Sequence, residues 1–497
     1  MKKRSLWIWA SAALGVAIGL AGCGSTTYFA GRVLPPSGLS YRVLIAIQNP
    51  SILTKGSLQI VDAYYDIRYG RTGQPTSFTL TGYGGALPIS IQNMPEEQVG
   101  AIYGAGDGTL TLANYQTEKT TGTVSGLNGL SSSIFMTRSG TYVFAANQAS
   151  HVLTVANRSN GSSYPLSLPG VYRVSVNPGG TMALAFAQNS NYAYYPRQLT
   201  SAQTISFSGG PPTWPKAAVD CEPQSAPVWC LFQAQSPDAI DGTGNFYGAP
   251  LVFDRPVKAV FSADGSTAYV LNCGPECGGT TASVSILPVA PLIFPLGQQS
   301  GLLPCNTAPC SRPPAVAMTT IPIPGGASNA LVTTNTMYVV GQRLMPDGYF
   351  GGFLTVMNLT NNTIVPSTSS SPNPVSISDG IPGAQSRMLQ ADDNTLWIAM
   401  TKCNQGERFY NNQPYGCLTM YNTSSSQVVL LEPYVGDATG IAAVTGLHKI
   451  YSVQGGQVYI ESTTDGTALD NQYVTVTGTA YDVAYMDAIT DTDNTVY

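Results

Sequence analysis

The chain has 497 residues, 10% of them charged and 43% hydrophobic, with a formal charge of −5. Disorder goes with low hydrophobicity and high charge, so a disordered chain is excluded. Globular proteins carry about 25% charged residues, so most of this surface must be built from uncharged polar groups. The balance of 22 Lys+Arg against 27 Asp+Glu leaves no basic excess, and nucleic acid is not an expected partner. The 52 glycines and 35 prolines exceed the combined share of about 12% usual in globular chains and argue against a helix-rich fold.

In chain order, Met1 to Arg4 is basic, and Leu6 to Leu20 is a mostly apolar stretch. It is too short to span a bilayer comfortably and is placed as a secretory signal would be. It ends in Leu20-Ala21-Gly22-Cys23. Basic end, apolar core and Leu-Ala-Gly-Cys in this order resemble the lipobox of bacterial lipoproteins. The resemblance implies a signal peptide over residues 1–22, cleavage before Cys23, and acylation of the Cys23 thiol and of the new amino group. Several acyl chains anchor a protein stably where one holds it only marginally. The membrane would thus be a partner through Cys23, and the location the bacterial cell envelope. Gly24 and Ser25 replace the Asp that retains such proteins at the inner membrane, which favours the outer one. The bland alternative is an ordinary secretory signal with a chance cysteine. Residues 23–41 read as a tether.

Beyond Cys23, the remaining cysteines fall as neighbours in sequence: Cys221/Cys230, Cys273/Cys277, Cys305/Cys310 and Cys403/Cys417. Exported proteins keep disulfides, and local pairing is the expectation. A structural zinc site needs four ligands, and the two histidines, His151 and His448, lie far from these cysteines in sequence; no metal is expected.

Residues 42–497 repeat one pattern: an apolar strand, a tight turn, a second apolar strand, a loop, then a third. Ala259-Val260-Phe261-Ser262-Ala263-Asp264-Gly265 leads into Ala268-Tyr269-Val270-Leu271-Asn272, and Met388–Asn394 leads likewise into Leu396–Met400. Third strands follow as Val152–Val155, Val284–Leu287, Leu354–Met357 and Leu418–Tyr421. Turn anchors lie near Glu97, Gly140, Gly180, Gly265, Asn335, Asn394, Leu447 and Asn494. The shortest intervals match a four-stranded propeller blade of about 40–45 residues, and the longer ones match it plus insertions. Asp264-Gly265-Ser266-Thr267-Ala268-Tyr269-Val270-Leu271-Asn272 resembles the YVTN-type β-propeller repeat. That resemblance implies an all-β propeller, eight-bladed by count, with seven as the alternative if one anchor is misread. Residues 480–497 supply a first strand and the start of a second, and Val43–Ile47 and Leu58–Asp62 read as later strands of the same blade. Pairing of Asn494–Tyr497 with the head of the chain would close the ring and remove an aggregation-prone edge. The rival, an array of sandwiches, needs linkers that residues 42–497 do not show.

Insertions are expected at 211–256, 291–326, 341–352 and 402–417, with a smaller one at Cys273–Cys277. Within 211–256, Val228–Phe232 is either a blade strand or part of a cap. All these insertions are placed between second and third strands or between blades, which puts them on one face of the ring, a common way to build a binding surface. Arg408, Phe409, Tyr410 and Tyr415, in the loop between Cys403 and Cys417, are the leading binding candidates, with Tyr349 and Phe350 of similar character. Tyrosine and asparagine give contact area and adaptable hydrogen bonds, so a glycan or protein ligand is expected, bound with little dependence on salt. The structural alternative is that these aromatics merely cover the blades.

Catalytic chemistry is hard to find. Neither histidine has a nucleophile elbow nearby. Glu96/Glu97 and Asp392/Asp393 read as solvated turn residues. Asp491-Thr492-Asp493-Asn494 lacks the Gly and distal Glu of a calcium loop. No phosphate- or dinucleotide-cradling motif follows a strand, and no cofactor is expected. The reading is a lipid-anchored envelope propeller acting as a binding module. A propeller hydrolase or lyase acting on a sugar or lactone, and a purely structural envelope component, are the alternatives; an enzyme is the less favoured class.

Overall fold

The computed structural model describes residues 31–49, 55–66, 80, 82–199, 218–222, 228–240, 246–293, 316–378, 380–381, 383, 385–403, 417–431 and 436–490. They form a β-propeller of eight blades. Each blade is an antiparallel sheet whose first strand faces the central channel. Blade 2 is Pro88–Met94, Val99–Gly104, Thr109–Asn114 and Lys119–Val124. Blade 3 runs Ser133–Met136, Tyr142–Asn147, Val152–Asn157, Ser162–Ser167. The first strands of blades 4 to 8 are Val171–Val176, Pro256–Phe261, Asn329–Val332, Gln385–Ala391 and Ala438–Val444.

The inner strands are apolar on both faces because each blade is sandwiched between two others. Every residue of Thr395–Met400 is buried, whereas the outermost Lys119–Val124 alternates between exposed and half-buried, and Ser162–Ser167 largely between exposed and buried. Side-chain hydrogen bonds to backbone, or to a facing side chain, stitch neighbouring blades together near the axis. Gln92 exchanges two with Met136 at 2.6 and 2.7 Å, the Ser175 hydroxyl accepts from Ala259 N at 3.1 Å, and Thr439 donates to Tyr481 O at 2.5 Å.

Blade 1 joins the two ends of the chain, with Thr479–Tyr485 innermost, then Arg42–Gln48, then Ser57–Asp62. Val43 is opposite Tyr485 and Leu44 opposite Ala484. The expected closure therefore holds, with one correction. The head strand pairs directly with the first tail strand, so it is itself the second strand of the blade and no further tail strand lies between them. Asn494–Tyr497 lie outside the described residues. The seam is locked by Arg42, which is 1% exposed. Its guanidinium donates to Asp487 at 2.9 and 2.5 Å, to Glu118 at 2.9 Å and to Tyr115 O at 2.5 Å. Burial alone would lower the Arg42 pKa; the bonds and charges of Asp487 and Glu118 outweigh it and raise it. Part of the expected tether also docks: Arg32 donates to Pro95 O at 2.8 Å, and the Ser37 hydroxyl to Glu118 at 2.5 Å.

Two expected insertions sit differently from their sequence reading. Val228–Gln233 pairs with Ala193–Leu199, Leu199 opposite Val228, and is the fourth strand of blade 4, with Ala218–Glu222 as a fifth outside it. Trp229 from this strand packs edge-on against Tyr142 and Phe144 of blade 3. Leu199 and Val228, the ends of the third and fourth strands, thus face each other at one end of the blade, and the hairpin Gln235–Ile240/Phe246–Pro250 follows between blade 4 and blade 5. Thr319–Pro322 likewise pairs with Ser283–Pro288 as the fourth strand of blade 5, so the expected between-blade insertion at 291–326 contains that blade's own outer strand. Thr319–Pro322 is short and mostly exposed and carries little apolar signal, whereas Val228–Gln233 is apolar and buried and its sequence leaves blade strand and cap both open. Residues 341–352 are less an inserted loop than a hairpin arm, with pairing continued through Leu344 opposite Phe350.

Candidate functional site

Six of the eight innermost strands carry a register shift after their first residues, between Pro88/Ser90, Val171/Arg173, Pro256/Lys258, Gln385/Arg387 and Ala438/Gly440, and in blade 1 where Ala46/Ile47 face Asp482/Ala480. Such bulges re-aim the side chain that follows. The residues at these positions are Ser90, Arg173, Lys258, Arg387, Gly440 and Asp482: three cations and one carboxylate around the axis. Arg387 pairs with Asp482 at 2.7 Å, reaching past blade 8. Gly440 makes this approach possible, since a Cβ there would lie 2.5 Å from Asp482 Oδ1. Asp482 also accepts from Ile91 N at 2.7 Å, yet burial dominates and raises its pKa.

Lys258 is 4% exposed, and its ammonium donates to Asn329 Oδ1 at 2.8 Å. Asn329 in turn donates to Gln385 O at 3.1 Å. Burial, reinforced by the charges of Arg173 and Arg387, pushes the Lys258 amine well below its ordinary range.

At the mouth, Arg173 of this layer lines a cleft of about 430 Å³ shared by blades 4 to 7. Its lining includes Tyr172, Arg173, Gln188, Arg255, Ser328 and Gly383. These residues come from the starts of first strands and from the loops between second and third strands, so the cleft lies on the face that carries the Cys273–Cys277 loop, the 341–352 arm and the base of the 402–417 insertion. Arg173 lies over the Tyr172 ring at 5.9 Å, and no carboxylate pairs with it among the described residues. Arg255 donates to Asn189 O. Burial pushes the Tyr172 phenol up to about 12.

The Cys273–Cys277 loop forms one wall. Its disulfide closes a short turn in which Gly274 has φ 62° and a Cβ would meet Ala282 N at 2.2 Å, so glycine is required. Glu276 projects from it across blade 6, accepting from Gln342 N at 2.9 Å and Gly383 N at 2.6 Å. Burial outweighs these two bonds and raises its pKa to about 7. Asp254, beside Arg255, is committed to Thr280 and Thr281, and those bonds hold its pKa low against the effect of burial.

Of the residues singled out from sequence, Cys221–Cys230, Cys273–Cys277 and Cys403–Cys417 are bonded as expected. Cys23, Cys305, Cys310, Arg408, Phe409, Tyr410 and Tyr415 lie outside the described residues. Tyr349 and Phe350 are half-buried at the tip of the blade 6 arm, where Arg343 stacks on Phe353 at 4.2 Å. His151 sits in a turn with φ 59° and accepts from Gly170 N through Nδ1 at 3.2 Å. Asp393 is tied to His448 at 2.9 Å and to Thr463 at 2.7 Å, on the face opposite the cleft. Among the described residues, no cluster of three or more His, Cys, Asp or Glu side chains could hold a metal ion. Arg173, Arg255, Lys258 and Glu276 were not singled out, and the uncharged chemistry expected of this face does not describe its mouth. The available signal was a lone charge inside an apolar first strand, as in Val171-Tyr172-Arg173-Val174 and Val257-Lys258-Ala259-Val260.

Fold and cleft together define the class, an eight-bladed β-propeller with a cation-lined channel mouth. No protein-family model matches the chain, and no curated protein matches it in sequence. Among solved structures it is similar to a dihydro-heme d1 dehydrogenase, NirN, in complex with DHE (11% identity, TM-score 0.47, 94% of this chain and 78% of that one). It is also similar to Kuenenia stuttgartiensis hydrazine synthase (13%, TM-score 0.44, 76% and 96%) and to the Pseudomonas aeruginosa periplasmic gluconolactonase PpgL (15%, TM-score 0.39, 90% and 98%).

Proposed function

We propose that the protein is a ligand-binding β-propeller of the bacterial cell envelope, held to a membrane by lipid on Cys23, with its ligand taken at the channel mouth. The observation that carries this is the cleft of about 430 Å³ on the face bearing the Cys273–Cys277 loop, the 341–352 arm and the base of the Cys403–Cys417 loop. Its size falls within the range of about 300–1,000 Å³ usual for small-molecule sites. Disulfides suit an exported protein, which supports the compartment. The hydrolase or lyase alternative needs an acid or base free to act on substrate. Glu276, the carboxylate beside the cleft, has each oxygen engaged by a backbone amide.

Two experiments test this. Metabolic labelling with palmitate should mark the wild type and not Cys23→Ser; equal labelling would remove the anchor. A glycan and metabolite screen with the mature protein should find a ligand whose binding is lost when Phe409, Tyr410 and Tyr415 are replaced together by Ala or when the cleft is altered. Binding indifferent to both changes would discard this face, and turnover of a screened sugar or lactone would favour the enzyme reading.

A further inference from the structure

We propose that the channel-mouth cleft binds the oxyanion group, carboxylate or phosphate, of a small ligand, received by Arg173 and Arg255 of its lining, with the buried Lys258 amine following Val257 of that lining in the chain. This names the ligand chemistry of the site proposed above and rests on the reading that this face binds a ligand.

The case begins with charge. A buried cation is tolerated when a counter-ion or a full set of acceptors replaces its water. Arg387 meets that condition through Asp482. Lys258 does not: it has three N–H donors, and its one hydrogen bond among the described residues goes to the neutral Asn329 amide oxygen. Arg173, on the neighbouring blade, adds a second positive charge close enough to depress the Lys258 amine. Arg255 adds a third at the rim of the same cleft. The two carboxylates nearest by chain are turned elsewhere, Glu276 to the backbone of Gln342 and Gly383, and Asp254 to Thr280 and Thr281. The cleft therefore presents positive charge with no anion of its own among the described residues. A guanidinium pair is well suited to this task, because its planar donors match the geometry of carboxylate and phosphate oxygens. Tyr172, Gln188 and Ser328 supply neutral polar groups to the rest of the lining, as a hydroxylated ligand body would require.

The test is calorimetric titration of the mature protein with D-glucuronate, D-glucose 6-phosphate, inorganic phosphate and D-glucose. At least one acidic probe should bind, with affinity falling as salt rises, and D-glucose should not. The two acidic sugars separate a carboxylate from a phosphate preference, and phosphate binding as well as either assigns the site to the free anion. Arg173→Gln and Arg255→Gln should each weaken binding about tenfold or more with unchanged circular dichroism. D-glucose matching the acidic probes, no acidic probe binding, or indifference to both substitutions would overturn the inference. A screened ligand lost on replacing Phe409, Tyr410 and Tyr415 but indifferent to Arg173→Gln would sink the oxyanion assignment and leave the binding face standing. Failure of both sets would sink the two together.

Discussion

At the seam of the ring, Arg42 is buried with Asp487 and Glu118, so the cation is matched by carboxylates at 2.5 and 2.9 Å. At the channel mouth, Lys258 is buried almost as deeply, with an amide oxygen for company and the charges of Arg173 and Arg387 nearby. One chain thus treats the same kind of group in opposite ways. Where closure of the fold is at stake, buried charge is neutralised within the protein. At the mouth, the Lys258 amine bonds to a neutral amide and has no counter-ion among the described residues.

The largest expected effect breaks the seam. Asp487→Ala leaves Arg42 buried without its bidentate partner and should cost about 3–5 kcal/mol in urea unfolding, with early hydrogen exchange in Val43–Ile47. A loss below about 1 kcal/mol would mean that the seam is held by strand pairing alone.

The next effect concerns Glu276 at the wall of the cleft. Its carboxyl is raised from an ordinary 4.5 to about 7, so the folded state holds a proton that the unfolded state has released across that interval. Its contribution is fully present below pH 4.5 and is lost as pH rises to about 7, a decline of roughly 3 kcal/mol. Glu276→Gln should flatten that part of the stability profile; a profile unchanged from wild type would show that the group titrates elsewhere.

The smallest effect has the reverse sign. Lys258→Met removes a buried charge without a counter-ion, while Asn329 Oδ1 keeps its bond from Ala330 N at 2.9 Å. Stability at neutral pH should rise by about 1–2 kcal/mol. Because the folded state holds fewer protons than the unfolded state below the lysine's ordinary 10.5, wild-type stability should climb as pH rises toward that value, and the variant should climb less. Destabilisation by Lys258→Met would remove the contrast between seam and mouth.

The parts of this fold legible in the sequence are those buried on two sides. Leu396-Trp397-Ile398-Ala399-Met400 is wholly buried, and such runs mark blades regardless of what lies between them. Outer strands such as Thr319–Pro322 have one covered face at most and no apolar run to betray them. Without Thr319–Pro322, residues 291–326 read as a connection between blades, whereas Val228–Phe232 is apolar enough to show as a strand and only its blade stayed open. The site was hidden for a different reason. Arg173, Lys258, Arg387 and Asp482 are separated by tens to hundreds of residues and come to one layer because the same bulge recurs in the first strands of blades 4, 5, 7 and 1. A bulge has no composition of its own here, but a lone charge two residues into an apolar strand of a chain that is 10% charged was its visible trace.

The most direct measurement is diffraction from crystals grown with D-glucuronate. The account predicts the carboxylate within hydrogen-bond reach of the Arg173 and Arg255 guanidinium groups. Glucuronate bound through its neutral hydroxyls with the carboxylate turned to solvent, or an empty cleft at saturating concentration, would contradict it.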